Sequence, residues 1–365
     1  MVGVRTSPEG GGPRTDRLLR LCRSGLDSIR FRRQLRDELH RLVAFDAYCV
    51  NTADPATLLV TGSVGDGLPP EKTARLFAIE YAGGDCNELA SLAEGPTHVA
   101  TIGQATAGHP ERSRRMREIF LPIGLGHEMR AALTAGGACW GFLHLLRRVD
   151  QPDFTEDDVR VVAAVAEPIA AALRVSLLDL SRASDAIDGP GIVTLRADGA
   201  VDRANPSAQH WLRELSDELH QPLPHALHVV AARVAANDAS HASSCRLRTR
   251  SGEWLVVYGS RLGDSIAIVI ERARSSEVAP VVLRAYGLTP REREVAGAAM
   301  RGLSNDDVAA ALGLSTHTVK DHLKAIFEKV GVRSRGELVS RVFVDQVAPR
   351  IERGAPLGPD GGFED

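Results

Sequence analysis

Five cysteines in 365 residues, Cys22, Cys49, Cys86, Cys139 and Cys245, include no CxxC pair and no Cys/His spacing of a metal site. Neither a disulfide framework nor a structural metal is therefore expected. No apolar run approaches the ~18 residues that would mark a membrane span, and no charged start followed by an apolar stretch marks a secretory signal. The expected location is a reducing cytosol, with no membrane contact. A strong excess of one charge is also missing, since 44 Lys and Arg against 47 Asp and Glu leave a formal charge of −3. That balance argues against a chain coated all over with nucleic acid, while leaving room for a small local contact face. What is present is globular: 44% hydrophobic and 25% charged residues can build several buried cores. At roughly 150 residues per domain, the length suggests two or three of them.

The seams follow from changes in pattern. Residues 1–15 and 349–365 carry Gly and Pro without periodicity and read as flexible tails. From Asp16 to Phe45, Leu18, Leu19, Leu21, Ile29, Leu35, Leu39 and Leu42 give one amphipathic helix with a basic face, which reads as a solvated surface or a dimer seam. Between Asp46 and Arg148 the text is mixed α+β, with a hairpin of 128–134 and 138–147 around Ala135-Gly136-Gly137. A long helix follows to Leu180, capped by Thr155 with Asp158 at its third position and kinked at Pro168. A second α+β stretch, 184–274, opens with two strands around Asp198-Gly199 and a helix after Asn205-Pro206. It closes with strands in which Trp254, Val256 and Tyr258 alternate against Leu255 and Val257. Residues 275–283 have the polar, Ser- and Pro-containing character of a linker.

Residues 16–180 resemble a GAF domain through ACWGFLHLLRR followed by DFTEDDVRVVAAVAEPIAAALR. The resemblance implies a unit that holds a small molecule between sheet and helices or simply dimerises. The residue set of cyclic-nucleotide-binding members is not visible as a motif, and no bilin-attachment or haem-ligand residue can be assigned. Residues 184–274 resemble a PAS domain through ADGAVDRAN and the closing strands. Cys245 stands in SSCRL and not in the cysteine motif of flavin-binding photosensors, so a structural PAS-like unit is expected. No cofactor is expected in either unit, and any ligand they take is unidentified.

The segment 284–346 carries the most information. Thr289-Pro290-Arg291-Glu292 offers an N-cap hydroxyl, a proline at N1 and a carboxylate at N3. Ser304 with Asp307 and Ser334 with Glu337 repeat the arrangement, Ser315 opens a further helix, and Gly302, Gly313 and Gly331 stand where helices should stop. Four helices are therefore predicted between Thr289 and Phe343. In the third, Val319, Leu323, Ile326, Phe327 and Val330 form a buried stripe, leaving His317, Lys320, Asp321, Lys324 and Glu328 on the opposite face. With the preceding helix and its Gly313-Leu314 turn this reads as helix-turn-helix, whose second helix suits a major groove. The final helix carries an apolar stripe of Leu338, Val339, Val342 and Phe343, assigned partly to its own core and partly to dimer contact.

The text LTPREREVAGAAMRGLSNDDVAAALGLSTHTVKDHLKAIFEKVGVRSRGELVSRV closely resembles a LuxR/GerE-type helix-turn-helix domain over about 55 residues. The resemblance implies that Lys320, Asp321 and Lys324 approach base edges, with Thr318, His322, Lys329 and Arg335 near phosphates. The architecture expected is thus multidomain: an α+β GAF-like unit, an α+β PAS-like unit and an all-α four-helix DNA-binding domain. The corresponding function is a sequence-specific transcriptional regulator whose N-terminal units control dimerisation or DNA binding. Its expected partners are double-stranded DNA and a second copy, with a small-molecule effector and RNA polymerase as further candidates. Two readings compete. One is a thiol or redox enzyme using Cys49, Cys86 or Cys139 beside His98, His127 or His144, for which no signature is present, so a non-enzyme is expected. The other is an interaction scaffold whose helix-turn-helix no longer reads DNA.

Overall fold

Residues 15–178, 189–196, 198–216, 223–236 and 243–344 are described by the computed structural model. The expected tails, apart from Thr15, lie outside the described residues, as do the side chains of Phe343 and Val344. The described residues fall into two compact units. The first takes in those within 1–53, 58–176 and 217–236, the second those within 54–57, 177–216 and 237–365.

In the first unit the helix expected over 16–45 is two: Asp16–Cys22 (α1) and Ser28–His40 (α2). Gly25 at φ +67° turns the chain between them, a conformation that is inexpensive only for glycine. The Asp27 carboxylate then accepts from the backbone N–H groups of Ile29 and Arg30 to start α2. Strands Ala47–Ala53 (β1), Val60–Asp66 (β2), Val99–Thr101 (β3), Leu125–Ala135 (β4) and Ala138–Arg148 (β5) form an antiparallel sheet in the order β2-β1-β5-β4-β3. The β4–β5 hairpin turns at Gly136 and Gly137, both at positive φ, as the Gly-Gly pair predicts. Helices Thr73–Ala82 (α3), Leu89–Glu94 (α4) and Ile102–Thr106 (α5) fill the connections. The long helix Glu156–Ser176 (α6) follows and runs through Pro168. Its start carries the expected reciprocal cap, with Thr155 N–H donating to Asp158 (2.9 Å) and Asp158 N–H donating to Thr155 Oγ1 (3.2 Å). The α1, α2 and α6 helices cover one face of the sheet, where Tyr48 Oη donates to the Arg32 carbonyl of α2 at 2.9 Å.

In the second unit Gly191–Leu195 (β6) and Val201–Ala204 (β7) form the Asp198-Gly199 hairpin, and Asn205 caps Pro206–Glu214 (α7) through the Ala208 N–H. The next helix, His225–Ala236 (α8), falls inside the stretch 184–274 but belongs to the first unit, on α3 and β2. The reason lies in its composition: Ala226, Leu227, Val229 and Val230 are all buried there, and the His225 ring stands edge-on to Phe77 at 5.7 Å. The chain then returns to the second sheet with Ser243–Arg248 (β8), Trp254–Leu262 (β9) and Ser265–Arg272 (β10), in the antiparallel order β7-β6-β10-β9-β8.

The stretch read as a linker, 275–283, is helical instead: Ser275–Ala285 (α9). Glu277 anchors it, accepting from the Arg274 N–H (2.7 Å) and from Tyr258 Oη of β9 (2.6 Å). Its Ala279 and Leu283 enter the core of the helical segment that follows. That segment has the four predicted helices, Pro290–Met300 (α10), Asn305–Leu312 (α11), Thr316–Val330 (α12) and Arg335–Val339 (α13). Val295, Val308, Val319, Ile326 and Leu338 meet at its centre. No helix among the described residues is long and apolar enough to cross a membrane.

Candidate nucleic-acid interface

The turn between α11 and α12 is specified residue by residue. Gly313 ends α11 in the left-handed region at φ +63°, and Ser315 restarts the chain by accepting from the Thr318 N–H at 3.0 Å. The two helices are tied by Thr316 Oγ1, which donates to Asp306 of α11 at 2.7 Å. One face of α12 is closed by packing, with Val319, Leu323, Ile326 and Val330 buried and Phe327 partly so. The other presents His317, Lys320, Asp321, Lys324 and Glu328 to solvent, as 3.6-residue periodicity requires. His317 Nε2 lies 3.7 Å from Asp321 Oδ2, both exposed. Among the described residues, Lys320 and Lys324 have no ion-pair or hydrogen-bond partner. An exposed helix face with two free cations, one acid and one imidazole can both donate to and accept from base edges.

The other four residues expected at the interface are placed differently. Thr318 is half-buried and shares a hydroxyl contact with Ser315 at 2.8 Å, and His322 is half-buried beside it on the helix. Lys329 Nζ is engaged within the domain, donating to both carboxylate oxygens of Glu292 at 2.7 and 2.8 Å. Burial would push the Glu292 carboxyl up, but the Lys329 ammonium and the Thr289 N–H hold it below the usual glutamate range. Glu292 thus closes its capping box and pairs with Lys329 at once, linking α10 to α12. Arg335 donates to the Leu303 carbonyl and to Asn305 Oδ1 (2.5 Å), fixing the start of α11 against α13. Lys329 thus braces α12, from which Lys320 and Lys324 project, against α10, and Arg335 braces α11 against α13.

Residues 287–342 match the family model described as bacterial regulatory proteins, luxR family. This segment is a LuxR-family helix-turn-helix domain. The monoamine regulon transcriptional regulator of Klebsiella aerogenes is 40% identical over 86 residues, which take in 20% of this chain and 38% of that protein. The HTH-type transcriptional regulator MalT of Yersinia pestis is 32% identical over 74 residues, 20% of this chain and 8% of that protein. The chain thus spans less than half the length of these curated relatives. Among solved structures, Escherichia coli SdiA is matched over 90% of this chain and 94% of that chain, at 11% identity and a TM-score of 0.34.

Of the thiols considered for chemistry, burial pushes Cys139 up to about 11, and its Sγ donates to the Gly141 carbonyl at 3.2 Å. A thiol so placed is a poor nucleophile at neutral pH. The sheet register does set Cys49 opposite His144. The imidazole, however, has Nε2 at 3.2 Å from Asn51 Nδ2 and Nδ1 facing Glu128 at 3.9 Å. No group of three or more His, Cys, Asp or Glu among the described residues is arranged to hold a metal.

Sequence reasoning missed a polar row across the first sheet. Ser63 pairs Asn51, Cys49 pairs His144, and His144 pairs Arg130, so these side chains share one face. At its end Glu128 receives Arg115 (2.6 Å) and Arg130 (3.0 Å), and Arg130 also reaches Glu80 (2.7 Å). Burial would push Glu128 up, but the two guanidiniums hold it well below the usual carboxylate range. Burial also lowers the His144 imidazole, which is neutral. The one available signal was an apolar strand text interrupted at every second position by Glu128, Arg130 and, on the facing strand, His144.

Proposed function

We propose that this protein is a sequence-specific DNA-binding transcriptional regulator acting in the cytoplasm as a homodimer. Its two α+β units, GAF-like over 16–180 with α8 added and PAS-like over the rest of 184–274, control pairing or DNA binding. The observation that carries the reading is the α12 face. Lys320, Asp321 and Lys324 lie side by side, exposed and clear of the core, on the second helix of a LuxR-family helix-turn-helix. Such a helix enters the major groove with these side chains at the base edges; the family resemblance sets Thr318, His322, Lys329 and Arg335 toward the phosphates, and of these Lys329 acts instead through its pair with Glu292.

The test is a salt titration of binding to an operator selected with the full-length protein from its own genome. Lys320→Ala and Lys324→Ala are each expected to cost on the order of 1–3 kcal/mol and to relax specificity at one base pair. If both variants bind as tightly as the parent at every salt concentration, α12 is not the reading helix and the scaffold reading takes its place.

A further inference from the structure

The exposed face of α12 is electrically balanced. Lys320 and Lys324 are offset on it by Asp321 and Glu328, with His317 beside them. A surface shaped only to attract a phosphate backbone would carry no acid, because each carboxylate is repelled by the polyanion. Folding does not account for Asp321 either. Its side chain is 68% exposed, and its neighbour one turn back, the His317 ring, is 87% exposed with Nε2 at 3.7 Å. That distance is beyond hydrogen-bond reach, and a pair so open to water is worth little. Among the described residues the Asp321 carboxylate accepts no hydrogen bond, so both oxygens remain available.

What a carboxylate can meet in a major groove is restricted. The donors there are cytosine N4 and adenine N6, whereas the guanine and thymine edges offer acceptors. Adenine sets its N7 acceptor next to N6, where it repels the second carboxylate oxygen, and cytosine has no acceptor on that edge. The two lysines have the opposite need, which guanine O6 and N7 answer. Position along the helix then separates the two acids. Recognition helices read bases with their N-terminal residues. Asp321 lies in the second turn after the Ser315 cap, whereas Glu328 lies in the last turn before Gly331.

We infer that Asp321 is the cytosine-reading residue of this protein: it accepts from N4 of a C·G pair in each half-site and repels the acceptor edges of guanine and thymine there. The inference rests on the function proposed above and names operator chemistry which that function leaves open. An acid in this role lowers affinity for DNA of every sequence and raises discrimination between sequences. Removing it loosens specificity without weakening non-specific binding, the reverse of removing a lysine from the same face.

Full-length parent, Asp321→Ala and Asp321→Asn, each isolated from the cells that make it so that it keeps any effector it carries, select binding sites from a random duplex pool. The parent should enrich a site with cytosine at one position of each half-site, and changing that C·G pair should weaken binding about tenfold to a hundredfold. Asp321→Asn should prefer adenine at the same position, because an amide donates to N7 and accepts from N6. Asp321→Ala should accept every base there, keep the parent's preferences elsewhere, and bind DNA lacking the site at least as tightly as the parent does. All three should melt alike, since Asp321 is exposed. A site chosen alike at every position by the parent and both variants overturns the inference, and so does a lost preference for adenine, guanine or thymine in place of cytosine. In either case the regulator stands if Lys320→Ala and Lys324→Ala weaken binding. No enriched site for the parent removes the regulator, and the inference with it.

Discussion

Lys329 is the residue at which family resemblance and geometry pull apart. The resemblance sets it near phosphate, whereas its ammonium donates to both oxygens of Glu292, whose side chain is 8% exposed. Lys329→Ala leaves that carboxylate facing the core without its cation. We expect a stability loss of about 1 kcal/mol, at the low end for charged hydrogen bonds because Lys329 is partly in water. The salt slope of DNA binding should stay within about half a unit of the parent's. A slope lower by about one unit at unchanged stability would instead return Lys329 to the phosphate. The sign of the pH effect follows from the lowered Glu292 pKa. A carboxylate depressed in the folded state adds stability above its unfolded value, near 4.3, and that stability is lost as pH falls through the folded value. The gap between the acid melting curves of parent and Glu292→Gln should therefore narrow as pH falls below the unfolded value of about 4.3 and close beneath the folded one, and a constant gap down to low pH would contradict the pairing.

The recognition helix as an element depends on its two ends. Gly313 sits at φ +63° with nothing within 4 Å of where a Cβ would stand, so Gly313→Ala pays only for the left-handed backbone, about 1 kcal/mol. Ser315→Ala removes the hydroxyl that receives the Thr318 N–H and should also cost about 1 kcal/mol, both losses being read from the midpoints of urea titrations. Equal midpoints for both variants and parent would show that packing alone holds α12 in place. Capping residues act locally, which is why all four C-terminal helix starts could be read from Thr289, Ser304, Ser315 and Ser334. Errors arose where tertiary packing overrode local text. Ser275, Ser276 and Pro280 suggested a linker, but Val278, Val281 and Val282 behind them are buried and hold a helix. The polar row of the first sheet was equally hidden. Ser63, Asn51, His144 and Arg130 are far apart in sequence and meet only through strand register, which no local pattern specifies.

At the scale of the whole molecule the chain does not divide where its text changes. A boundary near residue 180 looks natural, since α6 ends at Ser176 and a new strand pattern begins at Gly191. Yet the first unit is completed by α8, supplied some fifty residues later. Its Leu227, Val229 and Val230 are fully buried, and burying three such side chains contributes on the order of 5 kcal/mol before ordering costs. A fragment of residues 1–180 should therefore expose the α3 surface around Phe77, melt well below the first unit in the full chain, and bind a hydrophobic dye. Adding a peptide of residues 217–240 should raise its melting temperature in a concentration-dependent way, as a ligand of the native state does. If the fragment alone melts like the intact protein and ignores the peptide, α8 is an accessory to the first unit. If it responds, the first unit cannot fold to completion until the chain of the second has begun, which couples the two during synthesis without any signal.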